Sequence, residues 1–330
     1  MNGSYYIYSD GKLSRKDNTI RFENAEGGKK DLPVEKVEDI YIMSEMTLNT
    51  AFLNFAAKNG IVLHFFNYYQ FYTGSFYPRE QLLAGKLLVH QVEHYTDANK
   101  RLTIAKKLIS AASFNIYRNL RYYNGRGKDV KESMIEIEYL RKQINKTDSI
   151  EMLMGIEGNI RKLYYSAWNI IVDQNMDFEK RVMNPPDNCM NSLISFVNTL
   201  IYTKVLTEIY HTQLNPTISY LHEPGSRRFS LSLDIAEIFK PLIGDRLIFA
   251  LLNRNQITEK SFRKDLNGLQ LKKEASQLIV SELDQRLRKV IKHKDLGRSV
   301  SYQYLIRLEC YKLIKHLIGE KEYQGFEMWW

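Results

Sequence analysis

Along the first part of the chain, β-branched and aromatic residues come in short runs: residues 4–9 (SYYIYS), 19–22 (TIRF) and 39–43 (DIYIM). Runs of this kind predict strands, and Gly11, the Gly27-Gly28 pair and Pro33 between them predict turns. Residues 47–59 carry Leu48, Phe52, Phe55 and Ala56 at helical spacing, with Asn59-Gly60 as a stop. Residues 61–66 and 70–77 return to strand, the second turned at Gly74. Pro78 ends it, and the domain boundary is placed there.

From Glu80 onward the pattern changes. Residues 82–119 contain no proline and only Gly85, which predicts a long helix. Residues 124–128 (NGRGK) read as a loop. Residues 153–173, 191–211, 233–252, 269–293 and 301–319 predict further helices. Pro241 and Gly244 make the 233–252 stretch either two helices or one kinked helix. No fixed-period repeat and no low-complexity segment interrupts this order. The expected fold class is α+β, with a small N-terminal β-rich domain (residues 1–78) followed by a larger all-helical C-terminal domain (residues 79–330).

Composition fits a folded, non-membrane protein: 44% of the 330 residues are hydrophobic and 26% are charged. No apolar stretch approaches the roughly 20 residues needed to span a bilayer. The opening MNGSYYIYSDGKLSRK has no apolar segment of the secretory type. Cys189 and Cys310 lie far apart and make no zinc motif. A reducing cytoplasm is the setting these features imply. The net charge of +9 is unevenly spread: residues 1–78 hold 8 Lys+Arg and 9 Asp+Glu, leaving 39 basic against 29 acidic residues in the rest. A basic surplus confined to one region suggests an acidic partner there, nucleic acid being the usual one, although a solvated basic surface is the plain alternative.

Three places break the surrounding pattern. Glu157 shares a helical face with Leu153, Ile160, Tyr164 and Trp168, so a carboxylate points toward an apolar interior. A carboxylate so placed is normally protonated, paired or metal-bound, and an ordinary pair with Arg161 one turn on stays open. Gly155 and Gly158 beside it leave room for another backbone or a ligand. His222 stands just before the turn Glu223-Pro224-Gly225, where it is either a loop residue bonded to a carbonyl or a metal ligand. Arg227 and Arg228 follow, and guanidinium forks bind phosphate oxygens when they are not simply solvated. In LDIAEIFKP (residues 233–241), Asp234 and Glu237 share one helical face among core residues. Ser230 or Ser232 is positioned to cap that helix, and Lys240 adds a cation. An acidic first turn behind a cap is the bland account of the pair. Taken together, two carboxylates, an imidazole, a supporting acid and adjacent cations suit Mn²⁺ or Mg²⁺ acting on a phosphodiester.

The ordered set GIEGNIRKLYY, LHE, SLSLDIAEIFKP and DRLIFALLNR resembles the CRISPR-associated spacer-acquisition integrase and endonuclease family (Cas-one). The opening NGSYYIYSDGKLSRKDNTIRF is similar to its subtype I-B-like branch. The resemblance runs over nearly the whole chain. It implies an N-terminal β domain that dimerises and a helical domain that carries the metal. It puts the Mn²⁺ or Mg²⁺ ligands and catalytic residues on Glu157, His222 and Glu237, the last being Asp in some members, with Asp234 in support. Lys240, Arg246 and Arg254 fall where basic side chains line the DNA path. The implied reaction is attack of a 3′-hydroxyl on a phosphodiester of double-stranded DNA, inserting short fragments as new spacers into a CRISPR array. The implied assembly is a homodimer, two of which form a heterohexamer with a small CRISPR-associated partner of ferredoxin-like fold. A metal-dependent nuclease without integration, a non-enzymatic DNA-binding scaffold and a purely structural helical protein are the competing readings. The closing aromatics Phe326, Trp329 and Trp330 either contribute as an exposed tail or pack back on their own domain.

Overall fold

The computed structural model describes residues 3–329 apart from 177, 183–185, 226–228, 266 and 267. The chain divides into two compact units, Met1–Gln81 and Leu82–Trp330. In the first, β1 (Gly3–Ile7), β2 (Gly11–Lys16), β3 (Thr19–Asn24), β4 (Lys29–Pro33), β5 (Val37–Ile42) and β6 (Met46–Leu48) precede helix α1 (Thr50–Lys58), which is followed by β7 (Val62–Phe66) and β8 (Tyr72–Phe76). Two four-stranded sheets form, in the orders β1-β5-β7-β8 and β4-β3-β2-β6. In the first sheet β1, β5 and β7 are parallel and β8 runs antiparallel. Strand alternation builds the core between them: Leu13, Ile20, Ile40, Ile42 and Leu63 meet Phe52, Phe55 and Ala56 of α1. Gly60, at a positive φ of 66°, lets the chain leave α1 and re-enter the sheet.

The sequence pattern misses β2, β4 and β6 for a physical reason. β2 and β4 bury only Leu13 and Leu32 respectively, and β6 buries nothing fully, so no run of apolar residues marks them. The expected strands form, with ends shifted by at most two residues.

The second unit is helical: α2 (Gly85–Thr96), α3 (Ala98–Asn124), α4 (Lys131–Gln143), α5 (Ile150–Ser166), α6 (Trp168–Ile171), α7 (Cys189–Tyr210), α8 (Ser230–Phe239), α9 (Arg246–Asn253), α10 (Lys273–Arg288) and α11 (Tyr302–Leu317). The single helix expected over residues 82–119 is two. Asp97 turns extended, and its carboxylate accepts from the Asn99 and Lys100 N–H groups, capping α3 and ending α2. Helix α4 was not expected because only Ile137 and the flanking residues tie it down, while most of its surface is polar. The fold class stands, with two short hairpins inside the helical unit: β9 (Phe262–Asp265) with β10 (Gly268–Leu271), and β11 (Val290–Lys292) with β12 (Ser299–Ser301). Both ends of the helix expected over 269–293 therefore belong to strands.

Between α8 and α9 the chain forms a π-helical turn, Lys240–Asp245. Pro241 cannot donate to the preceding turn, and the helix widens there. Side chains of α3 bond carbonyls on either side of the break: Asn115 Nδ2 donates to Ile238 O (3.1 Å) and Asn119 Nδ2 to Pro241 O (2.8 Å). A β-carbon on Gly244 would meet Val197 Cγ1 of α7 at 3.2 Å, so a small residue is needed where these helices cross. The closing segment packs back. Tyr323, Phe326 and Met328 are buried, Phe326 stacks on Phe239 of α8, and Asn115 bonds both Phe326 O and Met328 N. Trp330 lies outside the described residues. Among the described residues no helix is long and apolar enough to cross a membrane.

Candidate active site

Ser149 caps α5 by accepting from Met152 N–H, and the helix buries Leu153, Ile160 and Tyr164. Glu157 lies on the edge of that face with its side chain 26% exposed. Helix α8 is buried on every side, so its two acids sit in the core: Asp234 is fully buried and the Glu237 side chain is 8% exposed. The serine caps expected for α8 do not form. Ser230 is inside the helix and donates to Thr217 O, while Ser232 Oγ has no partner.

One arginine joins the two helices. Arg161 Nε donates to Glu157 Oε1 at 2.9 Å, and its Nη2 bonds Glu237 Oε2. Lys240 Nζ holds the other Glu237 oxygen at 2.5 Å. The pairing of Glu157 with Arg161, weighed as the plain alternative, is thus made, and the same guanidinium also reaches Glu237. Burial alone would favour the neutral acid at Glu237, but Lys240 and Arg161 outweigh it and hold its pKa well below the usual range. A small cavity lined by Ile109, Ile116, Glu157, Ile160 and Arg161 lies beside the Glu157 carboxylate. On the outer face, a β-carbon at Gly155 or Gly158 would meet nothing within 4 Å, so no described segment of this chain fills that room.

Asp234 organises the His222 loop. Its carboxylate accepts from the backbone N–H groups of Tyr220 (2.6 Å), Leu221 (2.9 Å) and His222 (3.0 Å), and from His222 Nδ1 (2.8 Å). With Nδ1 committed to a carboxylate, Nε2 is the ring nitrogen left for other work. Burial opposes the charged imidazolium, but the Asp234 bond and the Asp234 and Glu237 charges prevail and raise the His222 pKa. From the other side Arg101 clips the loop, donating to Tyr220 O (2.9 Å) and Glu223 (2.6 Å), with Tyr95 OH also on Glu223. Glu157, His222, Glu237, Asp234 and Lys240 thus belong to one electrostatic cluster. Arg246 stands at the start of α9 and Arg254, exposed, at its end. Arg227 and Arg228 lie outside the described residues.

Asp245 was not singled out from the sequence. It is buried at the end of the π-helical turn, accepts from Tyr164, and has Oδ2 unpartnered. Burial pushes its pKa up to about 7 against the pull of Arg161. Nothing in KPLIGDRL marks it, because the whole segment is buried and no alternation sets the acid apart.

Two carboxylates and an imidazole are suitable donor chemistry for Mn²⁺ or Mg²⁺. Both Glu237 oxygens already face cations, and among the described residues no three acid, imidazole or thiol groups are spaced to hold an ion as they stand. An ion at this site would compete with Arg161 and Lys240 for the Glu237 carboxylate.

Comparison with known proteins follows this geometry. The family model described as CRISPR associated protein Cas1 matches residues 5–285. A "CRISPR-associated endonuclease Cas1" from Fusobacterium nucleatum is 66% identical over 330 residues, covering 100% of this chain and 98% of the relative. This chain belongs to the Cas1 family. A solved Cas1 protein from Thermotoga maritima, TM1797, superposes with a TM-score of 0.87 at 42% identity, covering 98% of this chain and 100% of that one. A casposase bound to integration product shares the fold alone, with a TM-score of 0.86 at 18% identity over 98% of this chain and 94% of its own. The Cas1 match takes in Glu157, His222 and Glu237, and stops before the C-terminal segment that packs on α8.

Proposed function

We propose that this chain is a divalent-metal-dependent DNA endonuclease and integrase that inserts short DNA fragments as new spacers into a CRISPR array by 3′-hydroxyl attack on a phosphodiester. The observation that carries the reading is the convergence on Arg161 of Glu157 and Glu237, from two different helices, beside an imidazole oriented by Asp234. Such a cluster in an apolar setting is costly unless something uses it. Glu157, His222 and Glu237 are proposed to hold Mn²⁺ or Mg²⁺, which when bound polarises the phosphodiester and stabilises charge on it. Asp234 fixes the His222 ring and its loop, so Nε2 points in one direction. Arg161 and Lys240 keep Glu237 ionised and bring N–H donors suited to phosphate oxygens. Arg227, Arg228, Arg246 and Arg254 are proposed to follow double-stranded DNA. Dimerisation through the N-terminal unit, a heterohexamer with a small ferredoxin-fold CRISPR-associated protein and a cytoplasmic location complete the proposal, resting on Cas1 membership and the resemblance it bears out.

The test is a strand-transfer assay with short duplex DNA, a supercoiled plasmid carrying a leader and repeat, the small partner and Mn²⁺ or Mg²⁺, run with and without chelator. Joined product that vanishes with chelator is expected. Cut DNA with no joined product favours the nuclease reading, and binding without chemistry leaves the scaffold.

A further inference from the structure

The segment after α11 turns back at Gly319, whose φ of 77° suits glycine, and is fastened along its length. Lys107 of α3 pairs with Glu322 at 2.9 Å, Tyr323 OH donates to Glu309 Oε1 at 2.5 Å, and Lys312 Nζ donates to Gln324 O at 2.7 Å. One further fastening depends on a single proton. The Tyr323 N–H donates to Nδ1 of His316, in the last turn of α11, at 3.2 Å. A ring nitrogen accepts only while it carries no proton, so this bond requires a neutral His316 with its hydrogen on Nε2.

The surroundings of His316 resist a second proton. His94 of α2 lies edge-on to it, with ring centroids 5.4 Å apart. Nδ1 of His94 lies 2.8 Å from His90 O, one turn back, and so donates its hydrogen there. The charges that act on His316 are His94 from α2, Lys107 from α3 and Glu322 from the closing segment. Among the described residues, none of these comes from α7, α8, α10 or β12, which also pack on α11. Neighbouring charges are answered elsewhere: His90 by Glu93, Lys312 by Glu309, Lys315 by Glu320, and Glu208 of α7 by Arg307. Burial first, then the His94 charge, lowers the His316 pKa, with Glu322 opposing them.

We propose that His316 is a proton-sensitive catch for the closing segment: a protonated ring gives up the Tyr323 N–H, repels His94 and Lys107, and lets residues 318–324 loosen from α11. Farther along, Phe326 stacks on Phe239 and Met328 N–H donates to Asn115, so the catch sets how firmly this segment covers α8, the helix of Asp234 and Glu237. In the loosened segment His316 takes its proton near its ordinary value of 6.5, whereas the fastened form takes it only at lower pH. Fastening is therefore complete above that value and weakens as pH falls through it.

The experiment is hydrogen–deuterium exchange of the full-length chain from about pH 7.5 to about pH 5, each rate expressed against that of an unstructured peptide at the same pH. Wild-type protection over residues 318–326 should fall by up to about tenfold per pH unit below about pH 6.5, while α7 stays protected. His316→Gln should abolish the pH dependence. His94→Gln keeps the catch and removes the like charge, so it should shrink the total loss, and it decides the matter alone if His316→Gln does not fold. Wild-type protection that is flat across this range would overturn the catch, as would a loss that both variants leave unchanged. Parallel loss of protection in α7 would mark general acid unfolding and overturn it too.

Discussion

A carboxylate shut away from water favours its neutral form unless a cation answers it, and Glu237 and Asp245 show the two outcomes within one cluster. Glu237 has Lys240 and Arg161 on its two oxygens and stays ionised well below the usual range. Asp245 has Tyr164 on one oxygen and nothing on the other, and its pKa rises to about 7. The sign of the stability effect follows. Below about pH 4 folded and unfolded chains both hold the Asp245 proton. Between about 4 and 7 the unfolded chain releases it while the folded chain keeps it, so folding loses stability as pH rises. Asp245→Asn removes that dependence. Thermal unfolding of the variant against wild type should therefore diverge in favour of the variant from pH 4 to 7, by an amount on the order of a few kcal/mol, and then level off. A difference independent of pH would refute the assignment. At this scale the sequence was readable where a polar residue stood out against an apolar stripe, as with Glu157 and Asp234, or just before a turn, as with His222. It was unreadable where the contact depends on tertiary folding. Arg161 was visible only as the i+4 neighbour of Glu157, and its reach to Glu237 joins residues that no spacing rule connects.

The elements that position the cluster are held by side chains rather than by their own ladders. Pro241 breaks the run from α8 to α9, and Asn115 and Asn119 of α3 bond carbonyls on either side of the break. Asn115 also bonds Phe326 O and Met328 N, so one buried amide joins the acid-bearing helix, α3 and the C-terminal segment. Asn115→Ala leaves two carbonyls and one N–H without these partners, which should cost about 1–3 kcal/mol or more in denaturant unfolding. A loss near zero would show that water replaces the amide at no cost. Gly325 lies where this segment crosses α3, and a β-carbon there would meet Ala111 Cβ at 2.4 Å. The kink at Pro241 was legible, since proline acts locally. The asparagines were not, because they lie in an unremarkable stretch of α3 and acquire a role only on meeting α8 and the chain's end. The α2–α3 break carried a signal in Thr96-Asp97, an N-cap pattern inside an otherwise helical run. The hairpins at 262–271 and 290–301 carried almost none, being short and largely polar.

For the whole molecule, the change from strand runs to helical runs near residue 80 was plain in the pattern, because the first region is built mostly on a period of two and the longer second one on 3.6. The ordered motifs spread over nearly the whole chain pointed to the Cas1 family, and that membership is shown by the 281-residue match over 5–285 and by a relative 66% identical over all 330 residues of this chain. Charge separates the units as well, with the basic surplus confined to the region that holds the acidic cluster. The account as a whole stands on Glu157, His222 and Glu237 serving chemistry rather than merely filling a core. It is tested most directly by comparing Glu157→Ala, His222→Ala and Glu237→Ala with wild type for metal-dependent strand joining, alongside DNA binding and thermal unfolding of each. The account predicts that all three lose joining while folded protein still binds DNA. Near-normal joining by all three would contradict it.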